Sequence, residues 1–301
     1  MGFEASVDEK EEIVVEQIMS TACHVGCVRA AAGCARYAVT GGTDELINVF
    51  DVEKRTHLGT MGGSVHTSTV TAVAVTPSSG LLVSGCEEGH IALTRLKDSH
   101  TLKSFKGHKA GVLDIACHPS GKLALSISTD NTLRMWDLTR GTCAAVRTVC
   151  HGRRPNALRG PVRIANMQVK YTPEGSRYAL LLPGGIVEMC SSSSADAAVY
   201  EPSTTITSIC PVSEDMILVG DSKGVLRTLQ VQGDSLILIA ELSDVHTSRI
   251  KGIGRLGSAG YACSVDAQGK MSFVSFKETG KLVELRSIET GARVTTFASN
   301  R

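Results

Sequence analysis

Residues 107–137 read "GHKAGVLDIACHPSGKLALSISTDNTLRMWD". The stretch brings together His108, Ser126, Asp130 and Trp136, the only tryptophan of the chain. A histidine, a serine and an aspartate in close sequence suggest the parts of a hydrolase triad. Their local setting argues otherwise. "VLDIAC", "LALSIS" and "TLRMWD" read as three short strands, separated by a turn at Pro119-Ser120-Gly121 and a tight turn at Asp130. Ser126 therefore falls inside a strand. A nucleophilic serine needs an exposed elbow and an oxyanion hole, and neither pattern is present.

The same template recurs along the chain. Val39 to Asp51 repeats its second half, with Thr40, Asp44 and Phe50 in the places of Ser126, Asp130 and Trp136. His66 to Leu96 repeats nearly all of it, with Ser84 and Glu88 in register and Thr94 where the tryptophan stands. Tyr178 to Cys190 and Met216 to Gln230 keep two strands and lose the signature side chains, and His246 to Phe276 recovers His246 and Ser264. Third strands end at 50, 94, 136, 190, 229 and 274, at intervals of 44, 42, 54, 39 and 45. A period of about 40–45 residues with four short strands per unit predicts an all-β fold, a WD40-type β-propeller.

The whole of 1–301 reads as one such domain, with repeats near 22–60, 64–103, 106–146, 160–192, 203–240 and 244–285. An open ring would expose two sheet edges. The expectation is therefore a seventh blade, shared by residues 11–20 and 283–301, that closes the ring; six blades with flanking strands is the alternative. In a propeller of this type the four signature groups form one buried relay. The aspartate orients the histidine, the histidine bonds the hydroxyl, and the hydroxyl meets the indole N–H. The relay of His108, Ser126, Asp130 and Trp136 is accordingly expected to hold a blade together and not to attack a substrate.

Composition narrows the function classes. There are 31 basic and 30 acidic side chains, so no global field favours nucleic acid or membrane, and such a case must rest on a local patch. No apolar run approaches a membrane span, and the N-terminus lacks a secretory pattern. Gly2 and Ser6 fit the myristoylation pattern, but six acids against one lysine in the first 17 residues would repel an anionic leaflet. Glu9 to Glu12 reads as a flexible lead-in to the closing strand. Ten cysteines lack framework spacing, and several lie in apolar runs, as free thiols of a reducing compartment do. Cys23, His24 and Cys27 find no second Cys/His pair at finger-like spacing, so no metal or other cofactor is expected. With no phosphate-cradling glycine loop either, the chain reads as a non-enzyme.

"HPSGKLALS" (118–126), Thr129-Asp130, "TLR" (132–134) and Trp136, with "HTSRIKGI" (246–253), resemble the p21-activated-kinase-interacting WD-repeat family. The similarity is strong over Gly107 to Leu138 and fair over residues 28 to 138. The resemblance implies a non-catalytic scaffold in maturation of the large (60S) ribosomal subunit, in the nucleolus. Its partners would be pre-60S ribosomal proteins and assembly factors, the protein itself being monomeric outside complexes. The alternative it implies is a signalling adaptor, in the cytoplasm, that binds and restrains a p21-activated kinase. The family usually carries a Lys-rich C-terminal tail, whereas this sequence stops at Arg301, which leaves tail-dependent RNA or nucleolar anchoring open.

One loop adds a candidate contact surface. From Leu138 to Pro173 there are seven basic residues and no acid after Asp137: Arg140, Arg147, Arg153, Arg154, Arg159, Arg163 and Lys170. Arginine suits phosphate through bidentate bonds, so Arg147, Arg153, Arg154, Arg159 and Arg163 are the candidates for binding pre-rRNA or an acidic partner through 147–163. The competing reading is a solvated loop whose arginines pair with nearby carboxylates. The loop has no aromatic side chain for base stacking, which disfavours sequence-specific reading of single strands. "SSSSADAA" (191–198) reads as a polar linker leaving the fourth blade.

Overall fold

The computed structural model describes residues 2–7, 13–63, 65–77, 80–149, 166–194, 196–257, 260–276 and 281–298. It is all-β. A hairpin, β1 (Gly2–Val7) and β2 (Ile13–Met19), precedes six four-stranded antiparallel blades. Blade one is β3 (Val28–Cys34), β4 (Tyr37–Gly42), β5 (Ile47–Asp51) and β6 (Thr56–Met61). Blade two is β7 (Val70–Val75), β8 (Leu81–Cys86), β9 (Ile91–Arg95) and β10 (His100–Phe105). Blade three is β11 (Val112–Cys117), β12 (Leu123–Ser128), β13 (Thr132–Asp137) and β14 (Thr142–Thr148). Blade four is β15 (Gln168–Tyr171), β16 (Arg177–Leu181), β17 (Val187–Ser191) and β18 (Ala197–Tyr200). Blade five is β19 (Ile206–Pro211), β20 (Met216–Asp221), β21 (Leu226–Gln232) and β22 (Ser235–Leu242). Blade six is β23 (Ile250–Leu256), β24 (Tyr261–Asp266), β25 (Lys270–Ser275) and β26 (Val283–Glu289).

Strand position explains composition. First strands β3, β7, β11, β15, β19 and β23 pack in sequence order around a central channel. Small side chains such as Ala30, Ala31 and Ala72 let these backbones converge there. Second and third strands lie between neighbouring blades and are apolar on both faces; β5 is buried along its whole length. Fourth strands face solvent at the rim, and β14 is exposed along its whole length. Adjacent blades are stitched by side chains that reach backbone. The Thr71 hydroxyl donates to Val112 O (2.5 Å), and the Thr207 hydroxyl to Ile250 O (2.7 Å). At the rim, blades four and five meet through a parallel bridge, Val199 to Ser235.

The strand pairings among the described residues do not draw the two termini into one sheet. β26 is the outer strand of blade six, where it pairs β25 and covers an edge that would otherwise stand open. β2 pairs β1 and not the C-terminal chain. Among the described residues the sheets are thus six blades with a flanking hairpin. The chain after Glu289 nevertheless follows the path of a further blade's entry. Gly89 (φ +84°) turns blade two tightly against Ala110 O, at the start of blade three. Gly269 (φ +100°) does the same against Ala292 O. A Cβ at either position would overlap that carbonyl, and the backbone conformation itself favours glycine. Thr295, Thr296 and Phe297 then line the channel beside the six first strands. Val15, Val294 and Phe297 pack on the blade-six core of Cys263, Val265, Met271 and Phe273. Both terminal segments therefore reach the blade-six core, beside the position a further blade would take.

Other expectations shift in detail. "SSSSADAA" does not leave blade four; it contains the turn into β18, that blade's own outer strand. Glu9 to Glu12 lies outside the described residues. The nine described cysteines are free thiols. No helix is long and apolar enough to cross a membrane.

Candidate functional site

The loop before β11 carries His108, strand β12 carries Ser126, the β12–β13 turn carries Asp130, and β13 carries Trp136. Antiparallel pairing brings them together across blade three. Trp136 Nε1 donates to Ser126 Oγ (2.8 Å), and Ser126 Oγ lies 2.7 Å from His108 Nε2. His108 Nδ1 lies 3.0 Å from Asp130 Oδ2. A single tautomer satisfies every group: the indole donates to the hydroxyl, the hydroxyl to Nε2, and Nδ1–H to the carboxylate. Asp130 also receives Lys109 N (2.8 Å), Thr132 N (2.9 Å) and the Thr132 hydroxyl (2.6 Å). Burial works against its charge, but these hydrogen bonds outweigh that cost and hold its pKa at about 2. Burial depresses the His108 pKa and keeps the ring neutral, with Asp130 opposing in part. Ser126 is 0% exposed and Trp136 2%. The hydroxyl has no path to a substrate, and its proton is already committed.

Blades one, two, five and six carry variants of this relay. In blade one His24 Nε2 lies 2.8 Å from Thr40 Oγ1, and Nδ1 lies 2.9 Å from Asp44 Oδ1. His24, which the sequence presents between Cys23 and Cys27, is thus the blade-one relay histidine. Its spacing to the hydroxyl is 16 residues against 18 in blades two, three and six, which hides it from a fixed template. Blade six places His246 Nε2 2.7 Å from Ser264 Oγ and Nδ1 3.7 Å from Asp266 Oδ2. Asp266 was missed because it sits two residues closer than Asp130 does to its histidine. Blade five keeps only the aspartate. Asp221, fully buried, takes Arg227 Nη1 (2.9 Å) and Thr204 Oγ1 (2.9 Å) in place of a histidine. Arg227 Nε also bonds Glu241 (2.7 Å). In blade two His66 Nε2 meets Ser84 Oγ (2.7 Å), but Glu88 bonds Thr67 instead of the ring.

The candidate contact loop is only partly described. Arg153, Arg154, Arg159 and Arg163 lie outside the described residues. Arg147 does not stand free: its Nη2 bonds Glu188 (2.8 Å) and its Nη1 the Cys190 thiol (3.1 Å), tying β14 to blade four. Arg140 pairs with Asp137 (3.7 Å) and Lys170 with Asp114 (2.9 Å). The described members of the basic run are therefore paired.

A different basic surface stands at one mouth of the channel. Arg29 of β3, Arg249 just before β23 and Lys251 of β23 all line it. Burial and then the charges of Arg249 and Arg29 depress the Lys251 pKa, so three cations crowd one another. No carboxylate pairs with them among the described residues. One cation from β3 and two from the start of β23 lie far apart along the chain and give no run in the sequence, which is why sequence reading passed over them.

Comparison with known proteins agrees with this geometry. The family model "WD domain, G-beta repeat" matches residues 56–93 and 99–137. Each match starts on the outer strand of one blade and ends on the third strand of the next, so a sequence repeat straddles two blades. By sequence the chain is 35% identical over 159 residues to the Gallus gallus p21-activated protein kinase-interacting protein 1-like, covering 53% of this chain and 39% of that protein. It is 28% identical over 243 residues to the Xenopus laevis protein of that name, covering 79% and 62%. It is 31% identical over 119 residues to Protein MAK11 of Saccharomyces cerevisiae, covering 35% and 28%. The aligned region thus spans from 28% to 62% of the length of these relatives. By fold, the solved RRP9 WD40 repeats match with TM-score 0.78 at 14% identity, over 92% of this chain and 85% of that one. The structure titled U3-55K matches with TM-score 0.75 at 13% identity, over 92% and 86%. The chain is therefore a WD-repeat β-propeller protein whose relatives by sequence are the p21-activated-kinase-interacting WD-repeat proteins.

Proposed function

We propose that this chain is a non-catalytic scaffold in assembly of the large ribosomal subunit, acting in the nucleolus and docking phosphate-rich or acidic partners. The observation that carries the reading is the cation cluster of Arg29, Arg249 and Lys251 at the channel mouth, held on and beside the first strands β3 and β23, with no carboxylate paired to it among the described residues. Such a cluster gains free energy when a phosphate or carboxylate replaces its counter-ions, and the gain falls with salt. The relay hydroxyls are buried and engaged, which leaves docking as the work of the exposed faces. The resemblance to the kinase-interacting WD-repeat family supplies the ribosomal context, and Arg153, Arg154, Arg159 and Arg163 offer a second basic contact for pre-rRNA.

The names of the relatives favour a second reading, an adaptor that engages a p21-activated kinase. One experiment separates the two. The tagged protein and an Arg29→Glu/Arg249→Glu/Lys251→Glu variant are purified from cells at moderate salt, and the co-purifying proteins and RNA are identified. The ribosomal reading expects pre-60S proteins and pre-rRNA with the wild type and their loss with the variant. A kinase alone in the wild-type sample favours the adaptor. Unchanged ribosomal association in a folded variant removes the channel mouth as the contact.

A further inference from the structure

Blade two departs from the relay in a way that suggests its own chemistry. Thr94 replaces the tryptophan, and Glu88 replaces the aspartate without reaching the histidine. Two buried polar atoms are left without partners: His66 Nδ1 and Thr94 Oγ1. His66 is 1% exposed and its other nitrogen is fixed on Ser84. What faces the ring instead is His90, its centroid 5.5 Å away and edge-on, together with Cys86, which is 1% exposed. His66, Cys86 and His90 each offer one ligand atom, and these atoms lie within 4.8 Å of one another.

We propose that His66, Cys86 and His90 form a zinc site at the degenerate relay of blade two. A tetrahedral zinc holds imidazole nitrogen at about 2.0–2.1 Å and thiolate sulfur at about 2.3 Å, which sets the ligand atoms about 3.3–3.6 Å apart. Closing the observed spacing to that value takes about 1 Å of side-chain movement, and ligation through His90 Nε2 exchanges its hydrogen bond to Ser104 Oγ for the metal. The set of two imidazoles and one thiol suits a borderline-soft d10 ion better than magnesium or calcium, which take oxygen. Binding deprotonates Cys86: the sulfur–hydrogen bond breaks, a sulfur–zinc bond forms, and the proton leaves to solvent with no change of oxidation state. Two neutral imidazoles and one thiolate leave a single positive charge. Glu88, which accepts from the Thr67 hydroxyl, is the neighbouring carboxylate whose charge offsets it. Both Cys86 and His90 belong to the tight turn that Gly89 fixes against Ala110 O, so the ligands are presented by rigid backbone. The His66–Ser84 bond orients the first ring, as an outer partner of a metal-bound histidine does.

The test uses full-length protein without a histidine tag, stripped of metal and titrated with Co2+ as the spectroscopic stand-in for zinc. One equivalent is expected to give a thiolate-to-cobalt charge-transfer band and visible bands of tetrahedral intensity, both abolished by one equivalent of Zn2+. Cys86→Ala should lose the charge-transfer band. His90→Ala, at a half-buried position, should weaken Zn2+ binding at least tenfold and remove the rise in Tm that Zn2+ gives the wild type. Cys27→Ser, which disables the Cys23/Cys27 pair, should leave all of this unchanged. The proposal is overturned if no charge-transfer band forms, if the band survives in Cys86→Ala, or if Cys27→Ser abolishes it.

Discussion

Removing the Asp130 carboxylate tests whether the relay of blade three is structural. In Asp130→Ala, the Lys109 and Thr132 amides lie near the surface and water can replace their acceptor. His108 Nδ1 cannot be served that way, because its side chain is 0% exposed. An unpaired buried donor costs about 1–3 kcal/mol. The Thr132 hydroxyl, 3.1 Å from Nδ1, can turn to accept, which places the single variant in the lower half of that range. Asp130→Ala/Thr132→Val removes the substitute and should fall in the upper half. At about 2.1 cal/mol/K per residue, unfolding this chain carries about 0.6 kcal/mol/K, so the expected loss in Tm is about 2–5 °C. Calorimetry gives the shift. The emission of Trp136, the sole tryptophan and 2% exposed, reports the same blade from inside. Ser126→Ala strands both the indole N–H and His108 Nε2 and should cost at least as much. Melting curves and emission spectra unchanged in both single variants would refute the structural relay.

Two further outcomes follow from the same geometry. His108 and His246 are buried with depressed pKa values, so the unfolded chain binds protons that the native one cannot. Their contribution is complete above about 6.5 and is lost as pH falls below it; urea midpoints should therefore drop between about pH 7 and 5. Asp130, held at about 2, adds its own loss only below about 4, and a flat midpoint between pH 7 and 5 would contradict neutral buried rings. In blade five Arg227→Ala leaves Asp221 buried with three remaining donors, Thr204 and the amides of Lys223 and Val225. The expected cost is about 2–4 kcal/mol by denaturation, and Asp221→Ala/Arg227→Leu should cost less than the sum of its parts, because no buried charge is then left unpaired and Glu241 is exposed to solvent.

Much of this architecture was legible in residues 107–137, and the reasons are local. A strand interior, a tight turn and a tryptophan at a fixed offset are set by backbone pairing, so His108, Ser126, Asp130 and Trp136 could be placed from spacing alone. Where spacing slipped by two residues, as at His24 and Asp266, the template missed its partner. Asp221 was missed for a different reason: an arginine on the next strand does the work of a histidine, and only cross-strand contact reveals it.

The sequence by itself determined the period, the all-β class, the near-neutral charge and the relay of blade three, because each rests on residues close along the chain. Tertiary structure alone decided how the ring ends, with Val283–Glu289 completing blade six and both terminal segments laid over its core. It also decided which cations are paired, as Arg147 is, and which crowd together unpaired, as Arg29, Arg249 and Lys251 do. It gathered His66, Cys86 and His90 around one point. Those outcomes depend on which side chains become neighbours in space, and such neighbours leave no periodic mark in the chain.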